Sequence, residues 1–237
     1  MKNKTKLSAF TLIELLIVIA IIGILAGLMA GGISAAMDSA KATTIGNNGR
    51  NIVQAIMQAN NDRVASSLSE VWPSKKKYTG KQSNEYFFDL MDKQILDGVA
   101  YGDFAGGGVP APKDGAALKS GRCVWNALAG VGNLDSYAPF IWTRNLSNNL
   151  TEDDFQDSDA DDGADWKAKF GSHSSGADIA PFQSKRVVLV RRGGAMVDIK
   201  ASLLNSSTFL GGASNNVSDI EILWASEDDS SSDGEEW

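Results

Sequence analysis

The chain has 237 residues, enough for a membrane segment followed by one folded domain. Its 29 acidic residues against 22 basic ones give a net charge of −7, which argues against nucleic acid as a partner, since phosphate binding needs a basic footprint. A lone cysteine, Cys123, excludes an intrachain disulfide framework.

The first nine residues, MKNKTKLSA, carry Lys2, Lys4 and Lys6 and no acid. Residues 10–36 then read FTLIELLIVIAIIGILAGLMAGGISAA, and Glu14 is the one charged side chain between Lys6 and Asp38. About 20 apolar residues in a helix cover a bilayer core of roughly 30 Å. Lipid obliges such a segment to satisfy its own backbone, which selects a helix. Cationic residues ahead of it hold that end in the cytoplasm, so the remaining chain lies outside. A signal peptide and a plain single-pass anchor compete with any more specific reading. The run exceeds the roughly 7–15 apolar residues of a signal peptide, and neither reading accounts for a carboxylate at depth. A glutamate that snorkels to the headgroups is the remaining alternative.

The stretch SAFTLIELLIVIAIIGILA closely resembles the N-terminus of type IV pilins and type II secretion pseudopilins. The resemblance implies a leader, residues 1–9, that a prepilin peptidase removes by cutting between Ala9 and Phe10. It further implies N-methylation of Phe10 and an assembly role for Glu14. Ala9 stands where family members usually have Gly. The implied partners are further copies of the chain in a filament, other minor pilins or pseudopilins, the inner-membrane assembly platform and membrane lipid. The implied location is the inner membrane, crossed once, with a periplasmic head and a periplasmic or cell-surface filament after assembly. A new ammonium at Phe10 lacks a partner in its own helix, and so does the Glu14 carboxylate. In a stack of staggered helices each meets the other across subunits, which partly offsets both burial costs. Loss of the leader removes three lysines and leaves the mature chain more acidic still. Many pilus-forming relatives carry a C-terminal disulfide loop, so the single cysteine leans towards a pseudopilin.

Beyond Asp38 the apolar positions Ile45, Ile52, Val53, Ile56, Met57, Val64 and Leu68 recur at helical spacing, which predicts one buried face. Helix from Phe10 to Asn61 would measure roughly 80 Å. Gly23, Gly31, Gly32, Gly46 and Gly49 weaken it, each by about 1 kcal/mol relative to Ala if exposed. Gly31 and Gly32 mark a place where it can extend on assembly. The spacing therefore predicts a core helix over 10–36, an amphipathic continuation over 37–64, a globular head over 65–226 and an acidic, disordered tail over 227–237.

Within the head, Trp72, Pro73 and Lys75–Lys77 are expected to form a loop. Ser83–Asp97 reads as a short helix capped by Ser83 or Asn84, with Gly98 after it. The Gly- and Pro-rich segment 98–121 lacks the Lys-Ser/Thr of a phosphate loop and reads as an irregular surface loop. Residues 123–129 fit a strand or a helical turn equally. Strands are expected over 138–144, over a hairpin at 186–204 that turns at Arg192-Gly193-Gly194, and over 217–224. The fold class is α+β: a pilin-like long helix packed on an antiparallel sheet of three or four strands.

Glu152 to Asp165 holds eight acids, and Asp157, Asp159, Asp161 and Asp162 precede Gly163 as in a calcium loop. The glycine comes one place late and position twelve is Ala168, so a solvated acidic loop and a structural Ca²⁺ site both stand. His173, the one histidine, lies in a polar stretch and reads as a surface residue, while Cys123 beside Val124 and Trp125 reads as a core thiol. No catalytic constellation emerges, and the chain is expected to be a structural subunit, not an enzyme. The alternative is a membrane-anchored extracytoplasmic binding domain that does not polymerise.

Overall fold

The computed structural model describes residues 11–120, 122–155, 163–173, 176, 179–211 and 220–226. Two compact units result, Met1–Ala40 and Lys41–Trp237. Helix α1 (Leu12–Ala65) supplies the described part of the first and opens the second. In its N-terminal stretch Leu12, Ile13, Leu15, Leu16, Ile17 and Val18 are all exposed, and Leu28 is 77% exposed. Successive residues point to every side of a helix, so this stretch is apolar all round. Leu12–Leu28 and Ile33–Ala65 pass the length and composition of a membrane span only as a pair bent at the residues between them. No single helix among the described residues is long and apolar enough to do so. Gly31 and Gly32 fall within that break.

From Lys41 onward α1 has one buried stripe, formed by Ala42, Ile45, Ile52, Val53 and Ile56. Val64 and Leu68, predicted on the same face, are instead 52% and 54% exposed. The helix ends at Ala65, and Ser67 takes a left-handed φ of 56°, so the stripe has no sheet left to cover. Arg63 Nε donates to the Ser69 carbonyl at 2.9 Å and ties this turn.

The sheet has five antiparallel strands among the described residues: β1 (Trp125–Ala129), β2 (Pro139–Thr143), β3 (Arg186–Arg191), β4 (Met196–Lys200) and β5 (Glu221–Leu223), in the order β4-β3-β2-β1-β5. The strand beyond expectation is β1, where the residues alone left strand and turn open. The α+β class holds. The β3–β4 hairpin turns where expected, with Gly194 at φ 82° and its N–H donating to the Arg191 carbonyl at 2.8 Å. After Lys200 the chain makes a 3-10 turn, Ala201–Leu203, rather than more strand.

In-register pairing places Ala127, Ile141, Val190 and Met196 on one face of the sheet. That face takes α1: a Cβ on Gly49 would lie 2.6 Å from the Trp125 ring, and one on Gly46 would run into the Met196 thioether. These two glycines are therefore points of close approach, not merely weak helix formers. The opposite face carries Asn126, Trp142, Leu189 and Val197. Trp142 packs there on Phe155 and Phe209 at 5.6 and 5.8 Å, and Trp166 meets Phe209 at 5.0 Å. With both faces covered, β1, β2 and β3 are buried at every position.

The connections differ from expectation in several places. Lys75–Tyr78 is a one-turn helix (α2), not a loop. Helix α3 (Ser83–Asp92) stops at Asp92 rather than Asp97, and Gln82 opens it, its N–H donating to the Glu85 carboxylate at 3.0 Å. Ser83 and Asn84 are buried instead, donating to the carbonyls of Trp125 and Lys119. Segment 98–121 contributes Phe104, Val109 and Leu118 to the core, and Asp114 caps its short helix α4 (Gly115–Lys119). Helices α5 (Gly163–Ala168) and α6 (Ser206–Leu210) carry Trp166 and Phe209 of the aromatic cluster. The buried Arg191 guanidinium donates to the last carbonyls of α6, reaching Leu210 at 2.8 Å, Phe209 at 3.2 Å and Thr208 at 3.2 Å. Gly211, at φ 64°, leaves the room that this fork requires.

Gly49→Ala is expected to destabilise the folded head by about 1–3 kcal/mol, the cost of overpacking a filled core. The Trp125 ring cannot swing away, because its Nε1 donates to the Asp103 carbonyl at 3.1 Å. Gly46→Ala is expected to be nearly neutral, since the Met196 side chain is flexible and Ala gains about 1 kcal/mol of helix propensity. Urea unfolding of the full chain in detergent, followed by tryptophan fluorescence, checks the difference.

Candidate functional site

The residues on which the sequence places function sit at the start of α1. Ala9 and Phe10 lie outside the described residues. Glu14 is described, and it is exposed on the apolar stretch. Its Oε2 accepts from the Thr11 backbone N–H at 2.8 Å and from Thr11 Oγ1 at 2.8 Å. Glu14 N–H in turn donates to Thr11 Oγ1 at 3.3 Å. This is a reciprocal capping box, in which Thr11 is the cap and Glu14 the third helical residue. The first turn of a helix has N–H groups without intrahelical partners, and a carboxylate there also meets the positive end of the helix dipole. Glu14 thus has a structural use within its own chain. Thr11 is a residue that the sequence reading missed, although Thr-x-x-Glu ahead of an apolar run is the signature of such a box.

The second candidate, the acidic run, is only partly described. Asp157, Asp159, Asp161 and Asp162 lie outside the described residues. Of the acids ahead of them, Glu152 pairs with Lys75 Nζ at 3.3 Å and Asp154 with the largely buried Lys169 Nζ at 2.8 Å. Asp154 Oδ2 also accepts from Thr151 N–H at 2.7 Å. These two carboxylates are spent on the fold. Among the described residues no group of His, Cys, Asp and Glu is arranged to hold a metal ion.

His173 is exposed and stacks on the Trp224 ring at 4.2 Å. Cys123 is buried, and burial pushes its thiol up to about 12 from an ordinary value of 9.0. A thiol so held is protonated at neutral pH and is no nucleophile.

Residues 5–30 match the prokaryotic N-terminal methylation motif. This is the prepilin signal of type IV pilins and pseudopilins, so the N-terminal segment of the chain is of that type. The signal implies processing by a prepilin peptidase and an N-terminal membrane anchor. No curated protein and no solved structure matches the chain.

Two outcomes are expected from this geometry. Thr11→Val removes the hydroxyl of the box, and amide exchange in the first turn of α1 in micelles should quicken roughly fivefold, whereas Thr11→Ser should leave it unchanged. Cys123 binds its proton more tightly folded than unfolded, so its contribution to stability is complete below pH 9.0 and is lost as pH rises towards about 12. Unfolding free energy measured across that window should fall, and the fall should be shallower in Cys123→Ala.

Proposed function

We propose, from the prepilin-type segment that opens the chain, that this protein is a structural subunit of a type II secretion or type IV pilus-like filament. The precursor is cut between Ala9 and Phe10, and the new Phe10 amine is methylated. The chain stays in the inner membrane with its N-terminus cytoplasmic and its head periplasmic until the assembly platform draws it into the filament with other copies and with minor pilins or pseudopilins. Its work is mechanical, and it catalyses nothing. The break in α1 across Gly31 and Gly32 is where the helix extends as the subunit enters the filament. A structural Ca²⁺ held by Asp157, Asp159, Asp161 and Asp162 would be an accessory, and no step of this reading runs through it.

One observation carries the proposal: an acid sits on a helix whose every side is apolar and exposed. Monomeric soluble proteins rarely expose apolar surface on that scale, so lipid or other copies must cover it. Lipid alone would select against the acid. A neighbouring subunit's Phe10 amine supplies a reason to keep it.

Glu14 now has two candidate uses, and two substitutions separate them. Glu14→Ala removes both the cap and the charge, and filament yield is expected to collapse. Glu14→Gln keeps an acceptor for Thr11 but removes the charge. Collapse with Gln as well supports the intersubunit charge pair. Wild-type filament yield with Gln would reduce Glu14 to a helix cap, and indifference to both would favour an anchored domain that does not polymerise.

A further inference from the structure

The head is acidic overall, yet one face of it is crowded with lysine. Lys77 and Lys81 gather around Tyr78, with Lys77 Nζ 4.7 Å and Lys81 Nζ 5.6 Å from its ring centroid, and Lys76 stands exposed next to Lys77 in α2. The ring is buried and fixed, because Tyr78 Oη donates to Asp89 Oδ2 at 3.2 Å. Asp89 is also the carboxylate that faces Lys77 at 3.6 Å and Lys93 at 3.8 Å. Among the described residues no carboxylate pairs with Lys76 or Lys81. Two cations thus share one aromatic ring and one carboxylate, Asp89, serves both Lys77 and Lys93, so like charges are held together with too little to balance them.

The end of the chain carries the complement. Residues 227–237 hold Glu227, Asp228, Asp229, Asp233, Glu235 and Glu236 and no base. The chain enters this run beside the patch. Ser83 N–H donates to the Trp224 carbonyl at 2.9 Å, and Gly80 N–H donates to Glu221 Oε1 at 2.7 Å. Ser226 is two steps along the chain from Trp224, and Lys81 is two steps from Ser83. At 3.8 Å per residue, Ser226 and Lys81 therefore lie within about 21 Å of each other. The eleven residues beyond Ser226 span up to about 36 Å when extended, so their acids reach the whole patch.

We propose that the acidic C-terminal run of each chain docks on that chain's own lysine patch, Lys76, Lys77 and Lys81. Tethering gives the run an effective concentration in the millimolar range, far above that of a second copy's tail in dilute micelles. The acids of residues 156–162 are the competing occupant within the chain. That run is tied at both ends, by Phe155 and Trp166 in the aromatic cluster.

Zero-length carbodiimide coupling of the full chain in detergent micelles at low salt tests this, with unlabelled and nitrogen-15-labelled chains mixed in equal parts. Mass spectrometry is expected to find the carboxylates of 227–237 joined to Lys76, Lys77 or Lys81, with both peptides of the same isotopic form. In about 1 M salt, where the screening length is about 3 Å, the yield should fall roughly tenfold. The triple variant Lys76→Gln/Lys77→Gln/Lys81→Gln should lose these links while keeping the wild-type thermal melt. Links of mixed isotopic form would place the tail on another copy and overturn the proposal. So would links from residues 156–162 in place of the tail, tail links spread over other lysines, or a yield indifferent to salt.

Discussion

The first turn of a helix and a carboxylate in an apolar setting each lack something. The N–H groups of the turn have no acceptor in their own helix, and the carboxylate has no water to solvate it. Thr11 and Glu14 answer both needs at once, with bonds of 2.8 Å from the threonine backbone and hydroxyl to Glu14 Oε2. This constraint stands beneath the proposed assembly. A lone subunit need not leave Glu14 bare, and a neighbour's amine in the proposed filament would join an acid already oriented by its own helix. A carboxylate has two oxygens and about four acceptor directions, so the two partners can be served together.

The head rests on a different constraint, which is that one helix must sit flat on a sheet. Gly46 and Gly49 bring the backbone of α1 down onto Met196, Trp125 and Val190. The cost in helix propensity at these two buried glycines is offset by the close contact they allow between helix and sheet. On the other face the Trp142, Phe155, Trp166 and Phe209 cluster closes the sheet. Long loops then need polar anchors inside. Asn126 donates to Ser147 Oγ at 2.9 Å and accepts from Ala225 N–H at 2.8 Å. Arg191 holds the end of α6. Each satisfies buried backbone groups that irregular chain cannot satisfy alone.

What could be read from the residues followed how local its cause was. The stripe Ile45, Ile52, Val53 and Ile56 is a property of one helix and was legible, as was the Gly-rich turn of the β3–β4 hairpin. Val64 and Leu68 continue the stripe in sequence but not in space, because the chain reverses at Ser67. β1 could not be told from a helical turn: a strand covered on both faces shows no alternation, and CVWNALA offers none. Segment 98–121 has loop composition, yet Phe104 and Leu118 are core because α3 and β1 enclose them, which no window of that sequence displays. At the site, the isolation of Glu14 among apolar residues is plain in the sequence, and its part in assembly is the proposal. Thr11, three places earlier, carries a local signal of its own, Thr-x-x-Glu, which a pairing of Glu14 with lipid headgroups or a neighbouring amine leaves out.

Assembly of the proposed kind requires a new amine at Phe10 to meet Glu14. The most direct measurement is the mass and N-terminal sequence of the chain purified from cell membranes. A start at Phe10 carrying one added methyl group is the result predicted. A chain that still begins at Met1, or one recovered freely soluble without its apolar segment, would contradict it.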